Sequence, residues 1–315
     1  MFKNVLIIDE MHSSIVPGLE RIGLTADYQP SILRNEILDV IENYEGMIVR
    51  SKTNADREML DKAVNLKYIA RAGAGTDKID DKLCEKKGIV ILNAPEGNRD
   101  ALGEHALGIL LSLLNKIHTS DHEIRHSKWD REGNRGYEVL GKTVGIIGYG
   151  NMGGAFAQRL CGFGCKVLAY DKYKTGYGDQ YVEESSMDDL FNETDILSFH
   201  VPLTPETNGF YNYGFFHNFR KDLILINSAR GQILPLKDLI RLMDEGKVTG
   251  AALDVLENEK IDTLQNSDNE IFNNLISRSN VVFTPHVGGW SYESYERINT
   301  ILIEKIKNFY DSLGC

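Results

Sequence analysis

The chain has 315 residues, of which 42% are hydrophobic and 26% are charged, proportions typical of a soluble globular protein with two domains. Its formal net charge of −11 argues against the clustered basic surface of a nucleic-acid-binding protein. No apolar stretch approaches the roughly 20 residues that a membrane helix needs, and the N-terminus lacks a secretory cleavage pattern. We therefore expect a cytoplasmic protein with no membrane or nucleic-acid partner.

The four cysteines, Cys84, Cys161, Cys165 and Cys315, contain no CxxC spacing and no histidine–cysteine cluster. Zinc sites normally require such spacing. We expect reduced, mostly structural thiols and no metal.

The N-terminal part of the chain alternates strand and helix patterns. This βαβ rhythm predicts a parallel sheet with helices on its faces. The patterns are, in chain order, strand 5–9, helix 31–44, strand 46–49, helix 58–65, strand 67–71, helix 78–87 and strand 89–93.

The turn residues Ala-Pro-Glu-Gly-Asn at 94–98 predict a hinge, and a long helix is expected from Arg99 to about His126. Its apolar face is broader than one packed stripe requires, which predicts a homodimer through this helix. The apolar residues concerned are Leu102, Ala106, Ile109, Leu110, Leu113 and Leu114.

Residues 142–171 form the most informative unit of the chain. An apolar strand at 142–147 leads directly into Gly-Tyr-Gly-Asn-Met-Gly at 148–153, followed by a helix to about Gly162 and a second strand at 166–170. This order of elements is typical of a dinucleotide site, with the diphosphate at the N-terminus of the helix. The expected cofactor-binding residues of this turn are Gly148, Gly150, Asn151, Met152 and Gly153.

Asp171 ends the second strand, at the position where an acid is expected to accept hydrogen bonds from the adenosine ribose hydroxyls. Its charge would repel a 2′-phosphate, so NAD is favoured over NADP. Lys172 and Lys174 lie nearby in sequence and partly offset that preference.

The pattern of a doubly wound α/β domain continues to residue 285. It comprises strands at 195–200, 223–227, 250–254 and 280–284, with a helix at 236–245. A final amphipathic helix at 291–313 is not needed by this sheet and is expected to return to the N-terminal domain. We therefore predict a Rossmann NAD-binding domain at 99–285, inserted into a discontinuous substrate domain formed by 1–98 and 286–315.

Ionisable residues follow several of these strands, where ligands bind in open α/β sheets. Arg230, in Asn-Ser-Ala-Arg-Gly at 227–231, could clamp a carboxylate and a carbonyl oxygen. His286 follows the last strand; Asp254 ends the strand before it, and Glu259 lies five residues further on. Interconversion of an alcohol and a ketone needs an acid/base group, which a histidine oriented by a glutamate can supply. A surface arginine and a structural histidine are the alternatives.

At these residues the sequence resembles the D-isomer-specific 2-hydroxyacid dehydrogenase family, and the resemblance covers nearly the whole chain. Several separate motifs agree in order. They are VRSKT at 49–53, RAGAGTDKID at 71–80, NAPEGNRDALGEH at 93–105, GYGNMG at 148–153, NSARG at 227–231, ALDVLENE at 252–259 and TPHVGG at 284–289.

The resemblance implies an NAD-dependent enzyme with its active site in a cleft between two doubly wound domains. In it, Arg230 binds the substrate's carboxylate and keto oxygen, His286 is the general acid/base, and Glu259 orients His286. The backbone of Gly73 and Ala74 receives the substrate carboxylate. Asp254 binds the nicotinamide carboxamide, and the cofactor is further lined by Pro202, Thr207, Ala229 and Gly288. A homodimer is implied as well.

Within the family, the motifs VRS, RAGAG and GN of the hinge segment are most similar to those of the phosphoglycerate dehydrogenases. Arg50 and Ser51 are then candidate substrate residues, and Arg50 with Lys52 could contact a phosphate, although a solvated basic pair is the alternative. Trp290 stands where serine is usual in those enzymes, and its bulk could reshape the pocket. No regulatory domain is expected after the final helix.

The leading candidate substrate is 3-phosphoglycerate. Alternatives are a glyoxylate or hydroxypyruvate reductase, a broad 2-ketoacid reductase, and a phosphonate or formate oxidoreductase, the last disfavoured because formate oxidation normally uses a Gln-His pair. A corepressor-like protein that binds NAD without turnover is the alternative from a different class.

Overall fold

The computed structural model describes residues 4–314, except for the side chains at 266 and 267. The chain divides into two compact units. Unit 1 comprises Met1–Arg99 with Trp290–Cys315, and unit 2 comprises Asp100–Gly289. The predicted boundaries of a substrate domain and an NAD-binding domain stay a prediction. Residues 1–3 and Cys315 lie outside the described residues.

The strands are Asn4–Ile7 (β1), Thr25–Tyr28 (β2), Gly46–Val49 (β3), Tyr68–Arg71 (β4), Val90–Asn93 (β5), Thr143–Ile147 (β6), Lys166–Tyr170 (β7), Glu183–Glu184 (β8), Ile196–Phe199 (β9), Leu223–Asn227 (β10), Val248–Leu253 (β11) and Val281–Phe283 (β12).

The α-helices are Ile15–Arg21 (α1), Arg34–Val40 (α2), Arg57–Lys62 (α3), Asp81–Lys87 (α4), Pro95–Leu114 (α5), Ile117–Arg125 (α6), Asn151–Leu160 (α7), Met187–Glu193 (α8), Tyr213–Phe216 (α9), Leu236–Asp244 (α10), Asn266–Ile276 (α11) and Tyr292–Ser312 (α12). Single 3₁₀ turns lie at Ile41–Asn43, Gly231–Ile233 and Ile261–Thr263.

Unit 1 contains a five-stranded parallel sheet in the order β2-β1-β3-β4-β5. Successive strand residues point to opposite faces, so Leu6 packs with α2 and α3 on one face while Val5 and Ile7 pack with α1 and α12 on the other. The apolar side of α12 that meets the sheet includes Ile298, Leu302 and Ile306. The predicted return of the final helix to the N-terminal domain is therefore confirmed.

Unit 2 contains a seven-stranded parallel sheet in the order β12-β11-β10-β9-β6-β7-β8. β6 pairs with β7 on one side and β9 on the other. Successive strands are therefore added first to one side of β6 and then to the other, so the strand order reverses beside β6. Ligands of open α/β sheets bind at the carboxyl ends of the strands at such a reversal. The predicted fold class, two doubly wound domains with a Rossmann domain inserted in a discontinuous one, is confirmed.

The prediction that turn residues at 94–98 precede one helix from Arg99 to about residue 126 was wrong. α5 already begins at Pro95 and ends at Leu114, and α6 follows after Lys116, whose φ is +51°. Proline was interpreted as a turn residue, but its fixed φ also suits the first turn of a helix. Six further elements were not predicted from the sequence: α1, β2, β8, α8, α9 and α11.

The apolar residues of α5 that suggested a dimer are already buried within unit 2. Leu110 and Leu113 belong to the same core cluster as Val144 and Ile146 of β6. The breadth of the apolar face is thus explained by packing inside the chain, and it does not by itself support a dimer.

Three cysteines, Cys84, Cys161 and Cys165, are free thiols, and burial raises the pKa of Cys84 to about 11. Cys315 lies outside the described residues. Among residues 4–314, no helix is both long and apolar enough to cross a membrane.

Candidate active site

The glycine turn after β6 has the shape that a diphosphate requires. Gly148 has a φ of +94°, which favours glycine. A Cβ at Gly153 would lie 2.1 Å from the Gly148 carbonyl oxygen, so α7 could not pack so closely on the turn with another residue there. At Gly150, by contrast, a Cβ would meet nothing within 4 Å. The backbone therefore borders open space at the one glycine where a ligand is expected to approach.

The N-terminus of α7 adjoins that open space. Gly150 is the N-cap residue and supplies no side-chain hydrogen bond to the first amides of the helix. The first-turn amides, which include those of Asn151 and Met152, and the positive end of the helix dipole favour a bound anion. The glycine turn and the helix therefore fit the diphosphate of a dinucleotide.

Asp171 follows β7 and is anchored by two backbone amides. Its carboxylate accepts hydrogen bonds from the amides of Tyr149, at 2.9 Å, and Tyr173, at 3.0 Å. Each carboxylate oxygen has a second lone pair, so both can still accept from ribose hydroxyls. Lys172 pairs with Glu206, and the Lys174 ammonium donates to the Tyr149 carbonyl at 2.8 Å. Both cations thus have partners other than Asp171.

The loop after β9 is held together by Thr207. Its hydroxyl donates to the Pro202 carbonyl at 2.7 Å and accepts from the Thr204 amide at 2.8 Å. After β10, the Ala229 amide donates to the Asn227 side chain at 3.1 Å. These two loops follow neighbouring parallel strands, so Pro202, Thr207 and Ala229 lie along the same edge of the unit 2 sheet.

Arg230 lies in a loop that packs closely on the segment after β11. Asn227 donates to the Arg230 carbonyl at 3.0 Å, and the Arg230 guanidinium donates to the Ala229 carbonyl at 2.6 Å. A Cβ at Gly231 would lie 1.9 Å from the carbonyl carbon of Leu256. The glycine after Arg230 is therefore what allows the loop to approach this segment.

His286 and Glu259 are in direct contact. His286 Nδ1 lies 2.8 Å from one Glu259 carboxylate oxygen and 3.1 Å from the other. Because the carboxylate can only accept, Nδ1 carries the proton, and Nε2 is left to exchange a proton with a substrate. Both side chains are nearly half exposed, so the pair is open to a ligand.

The backbone at His286 is strained. Its φ is +55°, and only Lys116 and Ser127 share a positive φ among the other non-glycine residues within 4–314. Non-glycine residues in this region cost about 1–3 kcal/mol and cluster at functional sites. Here the conformation is held by the His286 amide, which donates to the Asp254 carbonyl at 2.8 Å.

Asp254 fixes the rest of the His286 loop. Its buried carboxylate accepts from the amides of Val287, at 3.0 Å, and Gly288, at 2.9 Å, and from the Thr284 hydroxyl at 2.6 Å. Burial alone would raise the pKa of this carboxyl, but the hydrogen bonds from His105, Thr284 and the two amides outweigh it and hold the pKa below its usual range. The carboxylate is therefore ionised at neutral pH.

His105 and Thr284 belong to this arrangement but were not singled out from the sequence. His105 Nε2 lies 2.9 Å from the Thr284 hydroxyl and 3.3 Å from the Asp254 carboxylate. Since the hydroxyl donates to Asp254, it accepts from His105, which places the His105 proton on Nε2. The GEH at the end of the hinge motif was the available signal.

Unit 1 places its candidate residues after two neighbouring strands. β3 and β4 pair in parallel, and the Ala72 amide donates to the Val49 carbonyl at 2.8 Å. Arg50 and Ala72, the first residues after these two strands, are therefore neighbours, and Gly73 and Ala74 follow Ala72 directly in the chain. Gly73 has a φ of +135°, and a Cβ there would lie 1.7 Å from the Arg71 guanidinium. Only glycine fits this turn.

Lys52, which was considered together with Arg50 as a phosphate contact, has backbone partners in the structure. Its ammonium donates to the carbonyls of Pro30 and Ile32, the latter at 3.2 Å.

Among the described side chains, no group of three or more His, Cys, Asp or Glu residues could hold a metal ion.

Comparison with known families and proteins agrees with this geometry. Residues 107–288 match the family model of the "D-isomer specific 2-hydroxyacid dehydrogenase, NAD binding domain". A D-3-phosphoglycerate dehydrogenase of Archaeoglobus fulgidus is 34% identical over 98% of this chain, but the chain spans only 58% of that relative's length. A hydroxypyruvate reductase of Thermotoga maritima is 34% identical over 95% of this chain and 94% of its own.

Solved structures show the same fold. D-lactate dehydrogenase of Aquifex aeolicus, complexed with NAD and lactic acid, superposes with a TM-score of 0.82 at 26% identity, covering 98% of this chain and 96% of that one. A glyoxylate reductase superposes with a TM-score of 0.85 at 23% identity, over 96% and 94% of the two chains, which shows the fold alone.

Proposed function

Because the chain belongs to the D-isomer-specific 2-hydroxyacid dehydrogenase family, we propose that it catalyses the NAD-dependent interconversion of a D-2-hydroxy acid and its 2-keto acid. The leading candidate for the hydroxy acid is 3-phosphoglycerate. The contact between His286 and Glu259 carries this proposal, because it is an exposed acid/base pair on a strained loop at the carboxyl edge of the unit 2 sheet.

His286 is the acid/base group. In the direction of reduction, protonated Nε2 donates its proton to the keto oxygen, and in the direction of oxidation neutral Nε2 removes it from the hydroxyl. Glu259 holds Nδ1, so it fixes the orientation of the ring and stabilises the protonated imidazole. Arg230 binds the substrate's carboxylate and keto oxygen with its planar guanidinium.

The turn at 148–153, with Asp171, holds the cofactor, and the loops that carry Pro202, Thr207 and Ala229 border it. Asp254 and Gly288 lie at the nicotinamide end. When bound, NAD supplies the nicotinamide that exchanges a hydride with carbon 2 of the substrate. The amide-anchored Asp171 and the paired state of Lys172 and Lys174 support NAD over NADP.

In unit 1, the backbone of Gly73 and Ala74 receives the reacting carboxylate, and Arg50 and Ser51 bind the other end of the substrate. Arg50 is the reason for ranking 3-phosphoglycerate first, because a guanidinium suits a phosphate. Hydroxypyruvate reduction is the second candidate, and the match with the Thermotoga maritima reductase over nearly its whole length favours it.

We also propose that the protein is a homodimer. The support is a set of exposed apolar side chains on α6 and the segment that follows it, because exposed apolar residues that cluster often mark interaction sites. This α6 surface consists of Ile117, Ile124, Trp129, Tyr137 and Leu140.

A panel of 2-keto acids tests the enzymatic proposal. Phosphohydroxypyruvate, hydroxypyruvate, glyoxylate and pyruvate are each mixed with NADH, and the loss of NADH absorbance is followed. Turnover of at least one acid is expected, with phosphohydroxypyruvate the most rapid. Tight NADH binding with no turnover of any of them would favour the NAD-sensing alternative and contradict the proposal.

A further inference from the structure

The Arg50 guanidinium lies over an aromatic surface formed within unit 1. Its guanidinium carbon is 3.7 Å from the centre of the Trp290 ring and 5.9 Å from that of Tyr295. The two rings contact each other, with centroids 4.7 Å apart. Trp290 itself is 44% exposed, so its indole covers Arg50 rather than filling the core.

The Arg50 guanidinium has no hydrogen-bond or ion-pair partner among residues 4–314. Other arginines of this acidic chain do have such partners: Arg34 lies 2.8 Å from Asp56, and Arg278 lies 2.6 Å from Asp244. A stacked guanidinium keeps all five N–H groups at its edge, where they can still donate. An arginine that is stacked but unpaired is therefore suited to bind an anion.

The carboxylate that follows the neighbouring strand β1, that of Asp9, is already engaged by backbone amides. The Asp9 carboxylate accepts from the backbone amides of Arg50, at 2.6 Å, and Lys52, at 3.1 Å. Asp9 thus fixes the backbone of the loop, while Trp290 fixes the side chain. The two ends of Arg50 are held by different parts of unit 1.

Arg50 also lies in the right place relative to the segment proposed to receive the reacting carboxylate. Residues 50 and 72 follow the paired strands β3 and β4, and neighbouring strands are roughly 4.8 Å apart. A short acid whose carboxylate lies at Gly73 and Ala74 would have its far end near the Arg50 loop. This step depends on the proposed function.

We infer that Trp290 determines substrate specificity by holding the Arg50 guanidinium for a second anionic group on the substrate, a phosphate or a second carboxylate. Trp290 is a positioning residue, since it acts through Arg50. The residue that departs from the phosphoglycerate dehydrogenase pattern would thereby strengthen anion recognition instead of blocking it.

The test compares Trp290→Leu, which keeps apolar bulk but removes the aromatic face, with Trp290→Phe, which keeps a smaller face. For each full-length variant, kcat and KM are measured with NADH and three substrates: phosphohydroxypyruvate, hydroxypyruvate and oxaloacetate. Hydroxypyruvate lacks the second anionic group, and oxaloacetate carries a carboxylate in its place. Tyr292→Leu, at a residue 95% exposed, is the matched control.

For Trp290→Leu we expect kcat/KM for the preferred doubly anionic substrate to fall about tenfold, through KM, while kcat/KM for hydroxypyruvate stays within about twofold. Trp290→Phe should keep most of the wild-type kcat/KM for the doubly anionic substrate. Arg50→Lys should lose it, because an ammonium cannot stack as a plane. Whether the phosphate or the second carboxylate shows the effect identifies the group that is bound.

An active wild-type enzyme whose preference between these substrates is unchanged in Trp290→Leu would overturn the inference and leave the proposed function standing. So would a wild-type enzyme that favours hydroxypyruvate over both doubly anionic acids. Absence of turnover with every substrate would instead overturn the proposed function itself.

Discussion

At the scale of single residues, Asp254 stands out because so many groups converge on it. Its carboxylate holds Thr284, Val287 and Gly288, and its backbone carbonyl holds the amide of His286. The family resemblance implies that Asp254 binds the nicotinamide carboxamide. The geometry adds a second task, which is to keep the strained His286 loop in the conformation that brings the imidazole to Glu259.

We therefore expect Asp254→Asn to reduce kcat about 100-fold, since misplacing an acid/base group by an ångström has effects of this size. The new amide group would face backbone donors that now have an acceptor, which costs about 1–3 kcal/mol of stability. Steady-state kinetics and urea unfolding measure the two effects. Asp244→Asn, at the exposed ion pair with Arg278, is the control, and equal behaviour of both variants would contradict this role.

Two features of the site could not be predicted from the sequence because they depend on distant residues. The motif TPHVGG indicates a histidine, but its positive φ results from contacts with Asp254, 32 positions earlier in the numbering. His105 comes from α5 and meets Thr284 only in the folded chain. The glycine turn was predictable because its chemistry is local.

At the scale of elements, β9 is followed directly by a histidine, His200, that the proposed mechanism does not use. His200 Nε2 lies 2.9 Å from the Ser198 hydroxyl, whereas Nδ1 is buried without a partner, and the ring packs on Phe156. Burial lowers the pKa of His200 to about 3. The folded protein therefore keeps this ring neutral where an unfolded chain would protonate it, below a pH of about 6.5.

The consequence is a loss of stability in mild acid. As pH falls below about 6.5, the unfolded state gains a proton that the folded state does not. The free energy of unfolding therefore falls by about 1.4 kcal/mol per pH unit until the pKa of the folded state is reached. Between about pH 7.5 and about pH 5, we expect the free energy of unfolding to fall by about 1–2 kcal/mol more in the wild type than in His200→Gln. Urea unfolding at both pH values measures this, and equal losses would refute it.

The helices and strands were predictable to different degrees. β3, β7 and β10 were predicted with their observed bounds, because buried parallel strands are short, continuous apolar runs. The break between α5 and α6 was missed, since the left-handed Lys116 has no glycine or proline to mark it. Helices such as α11 were missed because their sequences are mostly polar.

At the scale of the whole molecule, the α6 surface is the feature that the fold of one chain leaves unexplained. Trp129 is 85% exposed and Tyr137 is 67% exposed. The helix adds Ile117 and Ile124, which are seven residues apart and therefore lie on the same face. The sequence predicted the dimer from α5, whose apolar residues proved to be core. The proposed interface therefore moves to α6 and the segment after it.

Trp129→Glu combined with Ile124→Glu should convert the dimer into a monomer, because it would bury two carboxylates from each protomer in an apolar interface. Light scattering after size exclusion measures the mass. Val64→Glu, at an exposed residue of unit 1, should leave the mass unchanged. A monomeric wild type, or a dimer that survives both substitutions, would contradict the proposed interface.

The most direct test of the central claim is the rate of NADH oxidation by His286→Ala with the best 2-keto acid of the panel. The matched control is His217→Ala, because His217 also pairs with a glutamate of unit 2, Glu245 at 3.4 Å, but at the C-terminal end of α9 and not in a loop after a strand. We predict that His286→Ala loses about 10²–10⁴-fold in kcat while it still binds NADH, and that His217→Ala stays within about twofold of the wild type. A fully active His286→Ala enzyme would contradict the account.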